Sequence, residues 1–304
     1  MISGLFHSGI TISDLNRSLA FYGETLGIEH IRSQVSDQAY LAGVTGFPGC
    51  SLKIGFAQVE GDTSVLEIIE YVHPKGGLAG VEFGRVGTPH LGWAVDNLSA
   101  AYQRLSAQGV KFLARPARIG EGPWRGGLGT FLLDPDGLLL ELIEPPGLVG
   151  GSGRLAKMVH TGFAVSRLKE ALAFLSEKIG LEVIDRAEGE SDYARHMGNL
   201  GDAFLQAAWL AIPGTDYRME LWEFRSPKGP PADMATNNVG SGHFCFKVED
   251  MLSVYRTLAG QGVQFVGPPT EVTAGVNKGG YAIYFLGPDN IRFELFQGRP
   301  TRVA

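Results

Sequence analysis

The stretch Leu5–Ser13, LFHSGITIS, alternates as a strand does, with His7, Gly9 and Thr11 on one face and Ser8, Ile10 and Ile12 on the other. It returns 153 residues later (160 − 7 = 153) as His160-Thr161-Gly162-Phe163-Ala164-Val165-Ser166. Two related stretches, opening at His90 and His243, stand at the same offset (243 − 90 = 153). Each His-bearing strand is answered downstream by a strand that a glutamate interrupts. Glu67 follows His7 and Glu220 follows His160 at one spacing (67 − 7 = 220 − 160 = 60). Glu141 follows His90 and Glu294 follows His243 at another (141 − 90 = 294 − 243 = 51). A chain that repeats itself at one offset is built from duplicated units.

The surroundings of these eight residues point to chemistry. Beside the histidines sit small or modest residues: Gly9 and Thr11, Gly92 and Ala94, Gly162 and Ala164. The opposite faces carry Ile10 and Ile12, Leu91, Trp93 and Val95, Phe163 and Val165, and Phe244, Phe246 and Val248. Large apolar groups on one face suit packing against a helix, and small groups on the other leave room for a cavity. The glutamates sit in apolar runs such as Val65-Leu66-Glu67-Ile68-Ile69 and Phe293-Glu294-Leu295-Phe296. Glutamate is depleted in strands, and a buried carboxylate without a partner costs several kcal/mol. A cation offsets that cost. Two His and two Glu suit Zn, Ni, Co, Mn or Fe(II), and residue types alone do not separate these ions. The spacing permits grouping within a half (His7, Glu67, His90, Glu141 and its equivalent) or across halves (His7, Glu67, His243, Glu294 and the other four).

Around each set the chain reads as strand, helix, then three strands. Asp14 caps a helix that Gly27 ends, and Gly109 closes the helix Leu98–Ala107. Strands follow at Glu29–Val35, Ser51–Val59 and Ser64–Tyr71, and in the second unit near Val110–Ala114, Leu128–Leu133 and Leu138–Ile143. The organisation predicted is a first domain, 1–147, with modules at about 1–75 and 86–147. A linker at 148–156, inside a Pro-, Gly- and Ser-rich stretch, leads to a second domain, 157–304, with modules at about 157–228 and 240–300.

With 304 residues, 44% hydrophobic and 19% charged, the composition is that of a globular protein. The net charge of −6 argues against nucleic acid and anionic membrane as partners. The start lacks a basic leader with an apolar run, and no apolar stretch is long enough to span a bilayer. Cys50 and Cys245 do not occupy equivalent repeat positions and read as free thiols of a reducing cytoplasm. No Gly-rich segment has the strand–loop–helix context of a nucleotide site, so no nucleotide cofactor is expected.

The stretches HSGITISDLNRSLAFYGETLGIE, VLEIIEY, PHLGWAVDNLSAAYQRLSAQGV and FLLDPDGLLLELIE, with their second-half equivalents, resemble the vicinal oxygen chelate superfamily. That superfamily includes glyoxalase I, epimerases, extradiol dioxygenases and bleomycin-resistance proteins. The resemblance implies an α+β fold of four βαβββ modules arranged as two paired-module half-open barrels. It also implies metal ligation by His7, Glu67, His90, Glu141, His160, Glu220, His243 and Glu294. The activity implied is that of a lyase, isomerase or epimerase using metal-assisted enediolate chemistry on a small oxygenated substrate. Glu141 and Glu294 are the first choices for the proton shuttle, and Glu67 and Glu220 their rivals. Alternatives are an Fe(II) ring-cleaving dioxygenase and a small-molecule-binding resistance protein. Where glyoxalase I carries an Arg for glutathione in its first helix, this chain has Glu24 and Glu177, which would repel a glutathione carboxylate. Dioxygenases carry an added His that is missing near Tyr284. Trp124, Arg125, Tyr281 and Tyr284 are expected at the substrate rim, in a monomer or homodimer.

Overall fold

In a computed structural model, which describes residues 1–147, 150–275 and 277–298 (the His30 and Ile31 side chains excepted), every one of the four His-bearing segments is a strand opening a module. The first module runs β1 (Ile2–Thr11), helix α1 (Leu15–Ala20), β2 (Glu29–Ser36), helix α2 (Tyr40–Thr45), β3 (Ser51–Gln58) and β4 (Leu66–His73). The second runs β5 (Pro89–Val95), α3 (Leu98–Ala107), β6 (Ala117–Arg118), β7 (Leu128–Leu133) and β8 (Leu139–Glu144). The third contains β9 (Leu155–Ala164), α4 (Leu168–Leu172), β10 (Glu182–Glu190), α5 (Asp192–Gly198), β11 (Phe204–Ala211) and β12 (Arg218–Phe224). The fourth contains β13 (Gly242–Val248), α6 (Met251–Gly260), β14 (Gln264–Phe265), β15 (Thr270–Glu271), β16 (Tyr281–Leu286) and β17 (Arg292–Gln297).

Helices α1, α3 and α6 start where a short polar side chain can take up a free backbone N–H. Asp14 accepts from Arg17 N, Asn97 from Ala100 N and Asp250 from Ser253 N. Gly27, Gly109, Gly180 and Gly262 follow the helices with φ between 79° and 90°, a region that costs glycine little. Val110–Ala114 is not a regular strand. Phe112 makes an isolated bridge to Leu132, and pairing resumes only at Ala117–Arg118, beyond Pro116, which has no N–H to donate. The short helices α2 and α5 are additions to the expected strand–helix–three-strand plan.

The strands form two mixed sheets, and each sheet joins modules from different halves of the chain. The first has the order β14-β16-β17-β13-β1-β4-β3-β2, with β15 on β16. The second has the order β10-β11-β12-β9-β5-β8-β7-β6. Modules one and four therefore share a sheet through the antiparallel β1–β13 pair, and modules two and three through β5–β9. Each half of the chain therefore contributes one module to each sheet. Of the linker, Leu148 and Val149 lie outside the described residues, as do 299–304 at the chain end. Beyond them Asp96 accepts hydrogen bonds from the backbone of Ser152, Gly153 and Arg154.

The convex faces and the helices share one core. Ile10, Ile12, Leu91, Trp93, Phe163, Val165, Phe244 and Phe246 all belong to it, as their shared strand face predicts. Where the two sheets meet, Ser8 and Thr161, the same repeat position, bond each other at 2.7 Å, and both reach the Tyr217 hydroxyl. Phe163 is fully buried in this core. Phe163→Ala is expected to lower the unfolding free energy by about 3–5 kcal/mol, read from urea denaturation, since the cavity cannot fully collapse.

Candidate metal centre

The register places the eight residues. On the concave face of the first sheet, Gly9 lies between Glu67 on β4 and His243 on β13, forming one transverse row. Two residues along, Cys245 lies between His7 on β1 and Glu294 on β17. The second sheet repeats this as Glu141–Gly92–His160 and His90–Gly162–Glu220. Each row is thus a carboxylate, a small residue and an imidazole. The small residue lets the flanking side chains lean together above it. A methyl group on Gly9 would overlap the His243 ring, one on Gly92 the His160 ring, and one on Gly162 the His90 ring.

Two clusters result, His7–Glu67–His243–Glu294 and His90–Glu141–His160–Glu220, and in each the ligand atoms lie within 4.8 Å of one another. The cross-half grouping is the one the fold makes. In the first, His7 Nε2 is 3.2 Å from both Glu67 and Glu294, and His243 Nε2 is 3.3 and 3.5 Å from the same carboxylates. In the second, His90 Nε2 is 3.1 Å from Glu220, and His160 Nε2 is 3.2 Å from Glu141 and 3.4 Å from Glu220. All eight side chains are buried.

The chemistry of the donors fits a divalent cation. His160 Nε2 is buried and faces two carboxylates, yet makes no hydrogen bond with either. Burial works against a charged His7, but the Glu67 charge and the bonds to Glu294 and Glu67 outweigh it and raise its pKa to about 10. Burial likewise opposes ionised Glu67, and the His7 charge and the His243 hydrogen bond nonetheless hold it below the usual carboxylate range. Both clusters demand positive charge at their centre, which an imidazolium proton or a metal ion supplies.

The two centres differ in what surrounds them. The first opens onto a cavity of about 80 Å³, room for several waters, with His7, Glu67 and Glu294 in its wall. Helix α2 closes one side with Tyr40, Leu41, Val44 and Thr45, while Phe56, Ile69 and Phe296 supply apolar walls. The Tyr284 hydroxyl also lines it, 3.4 Å from His243 Nε2. The second centre is packed among aromatic side chains. Trp222 Nε1 donates to Glu220 Oε1 at 2.8 Å, and the Tyr193 hydroxyl donates to Glu141 Oε1 at 2.6 Å.

Of the four rim residues expected, Tyr284 lines the open cavity. Tyr281 is one residue out of phase on β16 and packs with Ile283 and Phe285 against the convex core. Trp124 joins the cluster around the second centre, beneath the Arg218 guanidinium. Arg125 is exposed, its Nε bonded to the Gly120 carbonyl. Glu24 and Glu177 line outer grooves, so they do not bear on a ligand in the open cavity. The residues that sequence reasoning passed over are those on α2 and α5. Tyr40 and Tyr193, which stand 153 residues apart (193 − 40 = 153), were their available signal.

The chain matches the model of the Glyoxalase/Bleomycin resistance protein/Dioxygenase superfamily twice, over residues 4–142 and 157–295. It belongs to that superfamily. A lactoylglutathione lyase of Schizosaccharomyces pombe is 25% identical over 311 residues, covering 96% of both chains. A 2-epi-5-epi-valiolone epimerase of Actinomyces sp is 29% identical over 46% of this chain and 78% of its own. Glyoxalase I from Zea mays shares the fold, with a TM-score of 0.65 at 15% identity over 97% of this chain and 92% of that one. This superfamily member is an enzyme acting on a small-molecule substrate, with two groups of side chains able to ligate metal. Among the described residues no helix is long and apolar enough to cross a membrane.

Gly9→Ala, which drives a methyl into the His243 ring, is expected to reduce bound divalent metal by one equivalent per chain, measured by elemental analysis after dialysis. Full retention would mean that the imidazole is not a ligand.

Proposed function

We propose that this protein is a divalent-metal-dependent lyase, isomerase or epimerase working at the first centre on a small oxygenated substrate that carries no carboxylate. The observation behind this reading is that a two-His, two-Glu set meets a cavity whose described lining includes no lysine or arginine. A peptide conjugate such as glutathione would find no cationic side chain in that lining for its carboxylates, whereas a compact neutral hydroxyketone or oxoaldehyde would meet matching apolar walls.

A bound ion would polarise two adjacent substrate oxygens as a Lewis acid, lowering the cost of removing the proton between them. The chain's own residues do the rest. Glu294 and Glu67 both face the cavity. Among the described residues neither is held by an aromatic donor, as Glu141 and Glu220 are. That leaves them able to take a proton from one substrate carbon and return it to another. Glu294 is the preferred shuttle because the Tyr284 hydroxyl stands on the neighbouring strand, paired with it across β16–β17. Tyr284 orients the substrate oxygen, and Phe56, Ile69 and Phe296 exclude bulk water. The two cysteines, both free and buried, support a reducing cytoplasmic location.

Glu294→Gln is expected to lower kcat by about 10²–10⁴-fold while metal stays bound, with Glu67→Gln the comparison. The assay is isomerisation of small hydroxyketones and oxoaldehydes, with an oxygen electrode in parallel. Unchanged turnover in both variants would sink the proton-shuttle assignment. Oxygen uptake coupled to ring cleavage would assign the dioxygenase reading instead.

A further inference from the structure

We propose that the second centre, His90–Glu141–His160–Glu220, is a sealed structural metal site that substrate does not enter. The inference rests on the metal-binding reading above and adds a division of labour between the two centres.

The repeat allows the two surroundings to be compared position by position. Ile69, which walls the open cavity, corresponds to Trp222 (69 + 153 = 222), and Phe56 to Trp209 (56 + 153 = 209). Trp209 and Trp222 are 2% and 7% exposed, so the added indole volume goes into the space beside the ligands rather than into solvent. The Trp222 ring lies over His90, with centroids 4.7 Å apart. Trp209 is pressed by the loop carrying Gly122, where even a methyl group would overlap its ring.

The hydrogen bonds complete the closure. In the open centre Tyr40 is half-buried at the cavity wall. Its counterpart Tyr193 is 4% exposed and donates to Glu141 Oε1, while Glu141 Oε2 faces His160. Glu220 is divided in the same way, Oε1 to Trp222 and Oε2 to both imidazoles. A carboxylate with one oxygen on a buried donor and the other on the ligand centre is poorly placed to leave and carry a proton. Such outer partners fix the ligands and tighten metal binding. Two carboxylates and two neutral imidazoles around a divalent ion sum to zero charge, which suits a dry interior. Without the ion, buried carboxylates oppose folding.

The experiment is release of zinc from the zinc-loaded protein to a colorimetric chelator, followed over time, with thermal unfolding alongside. Two equivalents are expected in two phases. The fast one disappears in His243→Ala. The slow one accelerates by about 10–100-fold in Tyr193→Phe, which keeps the ring and removes the donor, and in Trp222→Phe, which removes the donor with part of the indole. The slow equivalent, when finally lost, lowers Tm. A single release rate for both equivalents, or a slow phase that vanishes in His243→Ala, would overturn the sealed site while leaving the proposed activity standing. Failure to bind any zinc, cobalt, nickel, manganese or ferrous iron would overturn the metal reading of both centres.

Discussion

The structure depends on a buried contact between carboxylate and imidazole made across a small residue. In each of the four rows, a glutamate and a histidine on the outer two of three strands converge above Gly9, Gly92, Gly162 or Cys245. The geometry is local, because strands are spaced by less than 5 Å and side chains on one face are neighbours. Its energetics are not. Four carboxylates inside two apolar sheets are tolerable only with opposing positive charge. That requirement explains why small residues recur where the convex faces carry Trp93, Phe163 and Phe244. A larger side chain in the middle of the row would separate the charges.

Duplication has preserved this contact and altered its setting. All eight candidate ligand positions survive at one offset, as do the strand-face alternation and the helix-ending glycines. The walls have changed. Ile69 beside the first centre leaves open space, and Trp222 beside the second fills it and ties down a ligand. One scaffold thereby holds two centres with the same donor set and different access. Access and ligand freedom decide what a metal site does as much as the ligands themselves.

Much of the site was legible because its logic is local. A glutamate interrupting Leu66 and Ile68 is anomalous within five residues of sequence, and a histidine alternating with glycine is visible within three. The cavity roof was not legible in that way. Helix α2 is six residues long, too short for a periodic signature, and Tyr40 matters only because the fold brings it over Glu67 and Glu294. Tyr281 and Tyr284 illustrate the same boundary. Both are aromatic residues of β16, but the parity of the pleat sends Tyr281 to the core and Tyr284 to the cavity.

By itself, the sequence determined the duplicated modules, the faces of their strands and the eight residues able to ligate a metal, since each follows from spacing along the chain. Only the tertiary structure decided which modules share a sheet. The β1–β13 and β5–β9 pairings join segments about 240 and 70 residues apart through backbone hydrogen bonds that carry no residue code, so both groupings satisfy the same periodicity. The contrast between an open and a filled centre was likewise decided in three dimensions, where volume beside a ligand depends on neighbours drawn from several strands.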